Sequence, residues 1–245
     1  MPSFHSFDPD ISPTQTELSL GSEESHHLVR VRRARMGDEV VVLNGRGLVM
    51  EGKLLDADPR QALVRVSGIK EVSAVRPLFK LAVGMPKGRT VDTVVRQATE
   101  LGVAEIHFLV TDRSEVPAKV LGSVEKLAKW KRVSIEASKQ SENPFLPEIN
   151  VGRTLQDWLQ EFVESGTHFV ACPEMSGKIG RFCELQDEQE SVWLLAGPEG
   201  GLTDQELQIT MPQGFQPVNL GASVLRVDTA SVALVALAQG YLRRA

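Results

Sequence analysis

Val192-Trp193-Leu194-Leu195-Ala196, then Gly197-Pro198-Glu199-Gly200-Gly201, then Leu202-Thr203-Asp204-Gln205-Glu206 is the stretch that decides the fold. The five apolar residues read as a buried strand. Three glycines and a proline in five positions describe backbone that bends sharply and approaches something a side chain would block. Thr203 with Glu206 three residues on is a capping box, hydroxyl and carboxylate each satisfying a free amide of a helix's first turn. A second loop follows: Asn219-Leu220-Gly221-Ala222-Ser223-Val224-Leu225-Arg226-Val227-Asp228-Thr229-Ala230. It is apolar for a loop and opens onto Ser231 to Gln239, a helix so apolar on nearly every side that burial is expected. The two loops are expected to pack together as a slot for a partly apolar small molecule.

Working outward, the pattern from Leu78 alternates strand and helix. Phe79–Gly84 and Glu105–Val110 read as strands, Thr90–Leu101 as a helix stopped by Gly102, Lys119 to about Lys139 as a long basic helix, Thr154–Glu164 as a helix, and His168–Cys172 as a strand entering a loop at Pro173–Gly177. Strands separated by helical stretches imply a parallel sheet with helices on both faces. Residues 1 to about 72 differ, reading as short strands: Glu17–Leu20, Glu39–Leu43, Gly47–Leu55 and Ala62–Ile69, with a hairpin turn at Asn44-Gly45-Arg46. Between the first two, Ser22 is expected to cap a short helix with Glu23 and Glu24 in its first turn and arginines in its last. That composition predicts a small barrel, joined by a polar linker at Lys70–Pro77 to a second domain over 73–245.

At 245 residues the chain can bury a sizeable core, and 24% charged with 42% hydrophobic residues is the balance of a globular protein. No apolar run reaches the roughly 20 residues needed to span a bilayer, and the first residues lack the basic start and apolar block of a signal peptide. A cytoplasmic location without a membrane partner is expected, and Cys172 and Cys183 are read as free thiols, their spacing fitting neither metal nor redox motifs. The net charge of −5 is unevenly spread: residues 1–75 carry −2, 76–140 carry +5 and 141–245 carry −8. A local basic patch matters more to phosphate binding than the total.

Ligands of open parallel sheets gather beyond the C-terminal ends of the strands. Three loops leave such ends: 173–177, 197–201 and 220–226. Neither G-x-G-x-x-G nor a P-loop is present, which argues against a dinucleotide or triphosphate held in the usual ways. Backbone amides and carbonyls framed by Leu195, Leu220, Val224 and Leu225 suit an adenine, its edge read by main chain and its faces by aliphatic side chains.

These residues carry a resemblance. Gly197-Pro198-Glu199-Gly200-Gly201 with Leu220-Gly221 and Leu225-Arg226 resembles the SPOUT methyltransferases, specifically the RsmE family, which methylates N3 of a uridine in 16S ribosomal RNA. Lys87-Gly88, Gln97 to Val103, Arg113-Ser114, Ile135-Glu136-Ala137, Gln140-Ser141, and His27 with Val31, Arg33 and Gly37-Asp38 agree in order and spacing. The resemblance implies an α/β fold, a parallel sheet with a C-terminal trefoil knot around S-adenosylmethionine, preceded by a PUA-like β-barrel that binds RNA over residues 1–72. It implies a homodimer acting on 16S rRNA of the small ribosomal subunit. Leu195, Ala196, Gly197, Pro198, Glu199, Gly200, Leu220, Gly221, Val224 and Leu225 would hold the cofactor; His27, Arg30, Arg32, Arg33, Arg35 and Lys87 would meet RNA.

Arg226 is the candidate to stabilise an anionic uracil, since a guanidinium fork can meet a carbonyl or a phosphate. Asp228 is either the proton acceptor or the N-cap of the terminal helix, and Glu199 either touches ligand or holds its turn. No metal is expected. The chain departs from the family at Ser3 and Ser223, where arginine is common, at Asp228, where glutamate is common, and at Glu142-Asn143, where Gly-Arg is common. These departures bear on the substrate more than the fold. They leave two other readings: an RNA-binding assembly factor without transfer, and a SPOUT enzyme acting on another RNA position.

Overall fold

The computed structural model describes residues 3–115, 123–164, 166–172 and 190–242. Two compact units emerge, Met1–Ala74 with Ile135–Leu146, and Val75–Ser134 with Pro147–Ala245. The expected loop at 173–177, Cys183 and the start of the helix placed at Lys119 lie outside the described residues.

In the first unit β1 (Phe4–Phe7), β2 (Glu17–Ser19), β3 (Glu39–Leu43), β4 (Leu48–Asp56) and β5 (Leu63–Glu71) form one sheet in the order β1-β3-β4-β5-β2. β1 runs parallel to β3 and the other pairs are antiparallel. The side chains of β4 alternate, Met50 and Leu54 inward and Glu51 and Lys53 outward, as period-2 geometry requires. Asn44 makes the predicted hairpin turn by accepting, at Oδ1, the amides of Arg46 (2.8 Å) and Leu48 (2.9 Å). Lys70 and Glu71, expected in a linker, extend β5.

The expected arginine-ended helix is shorter than its pattern. The α-helix α1 (Ser22–His26) has Gly21, not Ser22, at its N-cap and no side-chain cap. The chain then widens into a π turn, His27–Val31, in which Arg32 N bonds His27 O at 2.9 Å and Ala34 N bonds Leu28 O at 3.1 Å. Widening keeps Leu28 and Ala34 in the core while Arg30, Arg32, Arg33 and Arg35 stay exposed.

The second unit holds a six-stranded, wholly parallel sheet of β6 (Leu78–Gly84), β7 (Glu105–Val110), β8 (Glu148–Thr154), β9 (His168–Ala171), β10 (Ser191–Ala196) and β11 (Phe215–Val218), in the order β11-β9-β10-β6-β7-β8. Its helices are α2 (Thr90–Glu100), α3 (Val124–Ser141), α4 (Leu155–Gln160), α5 (Asp204–Thr210) and α6 (Val227–Leu242). The unbroken apolar run of β10 is explained by the two cores it serves. Val192 and Leu194 join α2, Trp130 of α3 and α6; Trp193 and Leu195 join α4 and Leu207 of α5.

Sequence patterning missed β8 and β11, both edge strands. β8 has no apolar run, and β11 carries Pro217, tolerated where one side of the strand lacks a partner. The terminal helix also differs from expectation. It begins at Val227 and is buried on one face only, by Val227, Ser231, Leu234, Val235 and Ala238, while Leu237 is 40% and Tyr241 52% exposed. Among the described residues no helix is long and apolar enough to cross a membrane.

At the N-terminal ends of β6, β7 and β10, Lys80 Nζ lies 2.8 Å from Glu105 and 2.5 Å from Glu164, over the Trp193 ring. A hydrogen bond from His107, followed by those from Lys80, outweighs desolvation and pulls Glu105 down from 4.5 to about 2. Burial opposes charge on Glu164, but hydrogen bonds from Lys80 and Ser191 outweigh it and lower that group too. Both folded-state values lie below the unfolded one, so the stabilisation is complete above about pH 4.5 and is lost as pH falls toward 2. Thermal unfolding followed from pH 7 to 3 should show the drop below about pH 5. It should be shallower in Glu105→Gln, and an equal drop in both proteins would remove Glu105 as a cause.

Candidate functional site

Beyond the C-terminal ends of β9 and β10 lies a cleft of about 580 Å³, open solvent at its mouth included. Its walls are the two loops singled out by the sequence. Gly197, Pro198, Glu199 and Gly201 form one side; Asn219, Leu220, Gly221, Ser223, Val224 and Leu225 form the other; Ala171, Cys172, Val227 and Ala230 close it.

The first loop is tight because it has to be. Gly201 N bonds Pro198 O at 2.8 Å, and Gly201 adopts φ 70°, a left-handed turn that glycine takes without strain. A Cβ on Gly197 would stand 2.9 Å from Gly201 C and Leu202 N; one on Gly84, the last residue of β6, would stand 2.4 Å from Pro198 Cδ. Main chain therefore presses on main chain here, leaving amides and carbonyls rather than side chains to face a ligand.

Three side chains, one of them in the loop itself, fix it in place. Glu199 Oε1 accepts the Lys87 amide at 2.9 Å. Arg113 Nη1 donates to Gly200 O at 2.8 Å. Buried Glu206 accepts the amides of Thr203 and Asp112, each at 2.8 Å, and its own amide donates to Thr203 Oγ1 at 3.2 Å. The predicted capping box thus also ties the segment after β7. Thr203→Ala should cost about 1 kcal/mol, measured by denaturant unfolding. Full retention of stability would show that Glu206 alone holds the helix start.

Of the predicted cofactor residues, Gly197, Pro198, Glu199, Leu220, Gly221, Val224 and Leu225 are brought together in the cleft. Leu195 and Ala196 are not: strand alternation and packing bury both within the sheet, Leu195 among α4 and α5. Gly200 faces the Arg113 side chain. Glu199 both lines the cleft and holds the Lys87 backbone. Ala171 and Cys172 line the cleft from outside the two loops read as its walls, while Gly201, Asn219, Ser223, Val227 and Ala230 belong to those loops but were not among the residues expected to hold the cofactor. Cys172 is a buried free thiol, as expected. Its place one residue beyond β9 was the available signal, obscured by small apolar side chains that read as core.

Arg226 and Asp228 stand beside the cleft rather than in it. The Arg226 side chain is 79% exposed, with Nε 3.5 Å from Asp228 Oδ1. Asp228 is the second residue of α6, so it is not that helix's N-cap; Oδ1 is buried and, among the described residues, accepts no hydrogen bond. A carboxylate oxygen left without a donor next to an exposed guanidinium is a pair able to take a proton and face an anion. Lys87 is half exposed and its Nζ pairs with Glu115.

The donor set fits an adenosine-bearing sulfonium. The cradle is glycine backbone that a Cβ would fill, with aliphatic walls for a ring and, among the described residues of its lining, no cluster of cations for a polyphosphate.

Residues 76–239 match the model of a family described as the RNA methyltransferase domain, and residues 20–67 match an RNA methyltransferase PUA domain. Among similar proteins, one of Synechocystis named ribosomal RNA small subunit methyltransferase E is 34% identical over 92% of this chain and 73% of its own. An Aquifex aeolicus protein of the same name is 31% identical over 91% of this chain and 94% of its own. Among solved structures, a Legionella pneumophila protein in complex with S-adenosylmethionine superposes with a TM-score of 0.83 at 25% identity, covering 98% of each chain. The fold is also that of a Neisseria gonorrhoeae structure titled ribosomal RNA small subunit methyltransferase E, TM-score 0.84 at 24% identity, again over 98% of each chain.

Proposed function

From the premise that this chain belongs to the RsmE family of RNA methyltransferases, we propose that it methylates ribosomal RNA of the small subunit, using S-adenosylmethionine, at N3 of a uridine. The observation that carries the reading is the glycine-walled cleft between residues 197–201 and 219–227, formed at the sheet edge where such a ligand belongs. When bound, the cofactor supplies an electrophilic methyl group on sulfonium. The chain's own residues do the rest. Main-chain groups of the two loops orient the adenosine, and Leu220, Val224 and Leu225 exclude water from it. Positioning the acceptor nitrogen in line is worth several kcal/mol of barrier. Asp228 takes the N3 proton, and Arg226 meets the carbonyl oxygen on which the ring's negative charge collects.

The same reading includes a knot, a barrel and a dimer. Support for the knot lies in the chain's path: it leaves β11 at the sheet edge, passes the ends of β9 and β10 as the cleft wall, and packs α6 on β10 and β6. The first unit's sheet and its PUA match support a PUA-like barrel for RNA, with Arg30, Arg32, Arg33 and Arg35 exposed on one segment. The exposed Leu237 and Tyr241 on α6 support a second copy as partner, and the rRNA substrate implies work in the cytoplasm.

Titration calorimetry with S-adenosylmethionine, followed by labelled methyl transfer to small subunits lacking the modification and mass mapping of the product nucleotide, tests the proposal. Transfer to N3 of one uridine is expected. Binding without transfer would favour an assembly factor, and a product elsewhere would move the substrate assignment.

A further inference from the structure

Within the first unit, a wide cleft lies between the β1 strand and the returning segment Ile135–Leu146. Every residue on its wall is polar: Ser3, His5 and His27, then Arg32, with Glu136, Lys139, Gln140 and Glu142 opposite. A wall made wholly of polar groups suits a polar ligand, whose donors and acceptors it can meet.

Lys139 forms the floor. Its side chain is only 4% exposed, and Nζ lies 2.8 Å from Glu24, 2.7 Å from Glu136 and 3.4 Å from His27 Nδ1. Glu24 in turn accepts the Phe7 amide at 3.0 Å, so the floor is braced to β1. These groups satisfy one another. The rim does not: the Glu142 carboxylate is 73% exposed, its ion-pair partner among the described residues being His5 Nε2 at 3.8 Å, and Arg32 is exposed among three further arginines.

Backbone irregularities converge on the same place. Among the described residues only Arg33 (φ 62°) and Glu142 (φ 58°) adopt the left-handed region without being glycine. One adjoins Arg32 on one rim; the other is on the opposite rim. His27 and Arg32 sit at the two ends of the π turn. Non-glycine left-handed residues and π turns carry a cost that persists chiefly where a site needs it.

We propose that this cleft receives one unpaired guanosine of the RNA substrate, its phosphate on Arg32 and its base edge on Glu142 and Gln140. The inference rests on the RNA-methyltransferase reading and adds to it a nucleotide contact made away from the methyl-transfer cleft. Unpaired bases are read along their Watson–Crick edges. Guanine is the base that offers two adjacent N–H donors, N1 and N2, to a carboxylate fork. Arg32 balances the carboxylate and meets the phosphate, whose oxygens a guanidinium fork can bind in pairs.

The test uses the full chain and fluorescent uridine oligoribonucleotides carrying one central guanosine, inosine or adenosine, compared by anisotropy at one fixed salt concentration. The guanosine strand should bind about tenfold more tightly than the inosine strand, which lacks the N2 donor. Glu142→Gln should erase that preference while Arg32→Ala weakens all three strands alike. Glu142 is exposed and unpaired by hydrogen bonds, so its replacement leaves the fold in place. On small subunits Glu142→Gln should raise KM with kcat unchanged. Equal binding of the three strands by the unaltered chain, or an unchanged preference in Glu142→Gln, overturns the proposal. Absence of methyl transfer by the unaltered chain would instead sink the reading of the enzyme, and the strand comparison would still decide the cleft.

Discussion

Arg226→Ala is expected to slow methyl transfer to small subunits by about 10²- to 10³-fold while leaving S-adenosylmethionine affinity within about tenfold. The division follows from where the side chain stands. It is 79% exposed, pairs with Asp228, and is not among the described residues of the cleft wall, so truncating it neither opens a cavity nor removes a cofactor contact. Its value arises when uracil loses the N3 proton and charge develops on the ring oxygens. A donor aimed at developing charge acts on kcat, whereas uniform binding would act on KM. Arg226→Lys should recover only part of the rate, because an ammonium lacks the planar fork. Calorimetry and single-turnover transfer on the same preparation separate the two quantities. Equal loss of both would show that Arg226 builds the cofactor site instead, and the assignment of roles would fail.

Much of this site was legible because its physics is local. A glycine loop after a buried strand, followed by Thr203 and Glu206 at capping-box spacing, specifies strand, turn and helix without tertiary knowledge, and all three stand as read. What local pattern could not give is direction. Leu195 and Gly197 are two residues apart, yet one faces a core built by α4 and α5 and the other a ligand cleft. Only the sheet's two-sided burial decides between them. The same holds for α6, whose apolar composition implied burial all round while its Leu237 and Tyr241 remain exposed. The π turn at His27–Val31 was invisible for another reason. Nothing in its sequence separates an ordinary helical turn from a widened one, and the widened turn lets Leu28 and Ala34 share one core. β8 and β11 failed as patterns because edge strands need neither alternation nor a full set of donors. The resemblance to a family supplied what none of these could, a reason to join residues 197–201 and 219–227 around one ligand.

How rigid that join is decides the second large effect: Gly84→Ala should lower stability by about 1–3 kcal/mol and weaken S-adenosylmethionine binding at least tenfold. The added methyl would fall 2.4 Å from Pro198 Cδ and 2.6 Å from Pro198 N, atoms of a ring that cannot rotate away. Either β6 or the glycine loop has to move. β6 is a central strand with β10 on one side and β7 on the other, so displacing it breaks two ladders. The loop is the softer partner, but it is held by Glu199 to Lys87 and by Arg113 to Gly200, and shifting it loosens those bonds and the cleft wall together. Gly68→Ala is the matched control: a Cβ there meets nothing within 4 Å, and the residue's φ is not positive. It should leave both unfolding and binding unchanged. Thermal unfolding and calorimetry of the two variants give the comparison. If Gly84→Ala kept full cofactor affinity, the loop would have to be free to slide, and a cleft preorganised by main-chain contact could not be the source of binding.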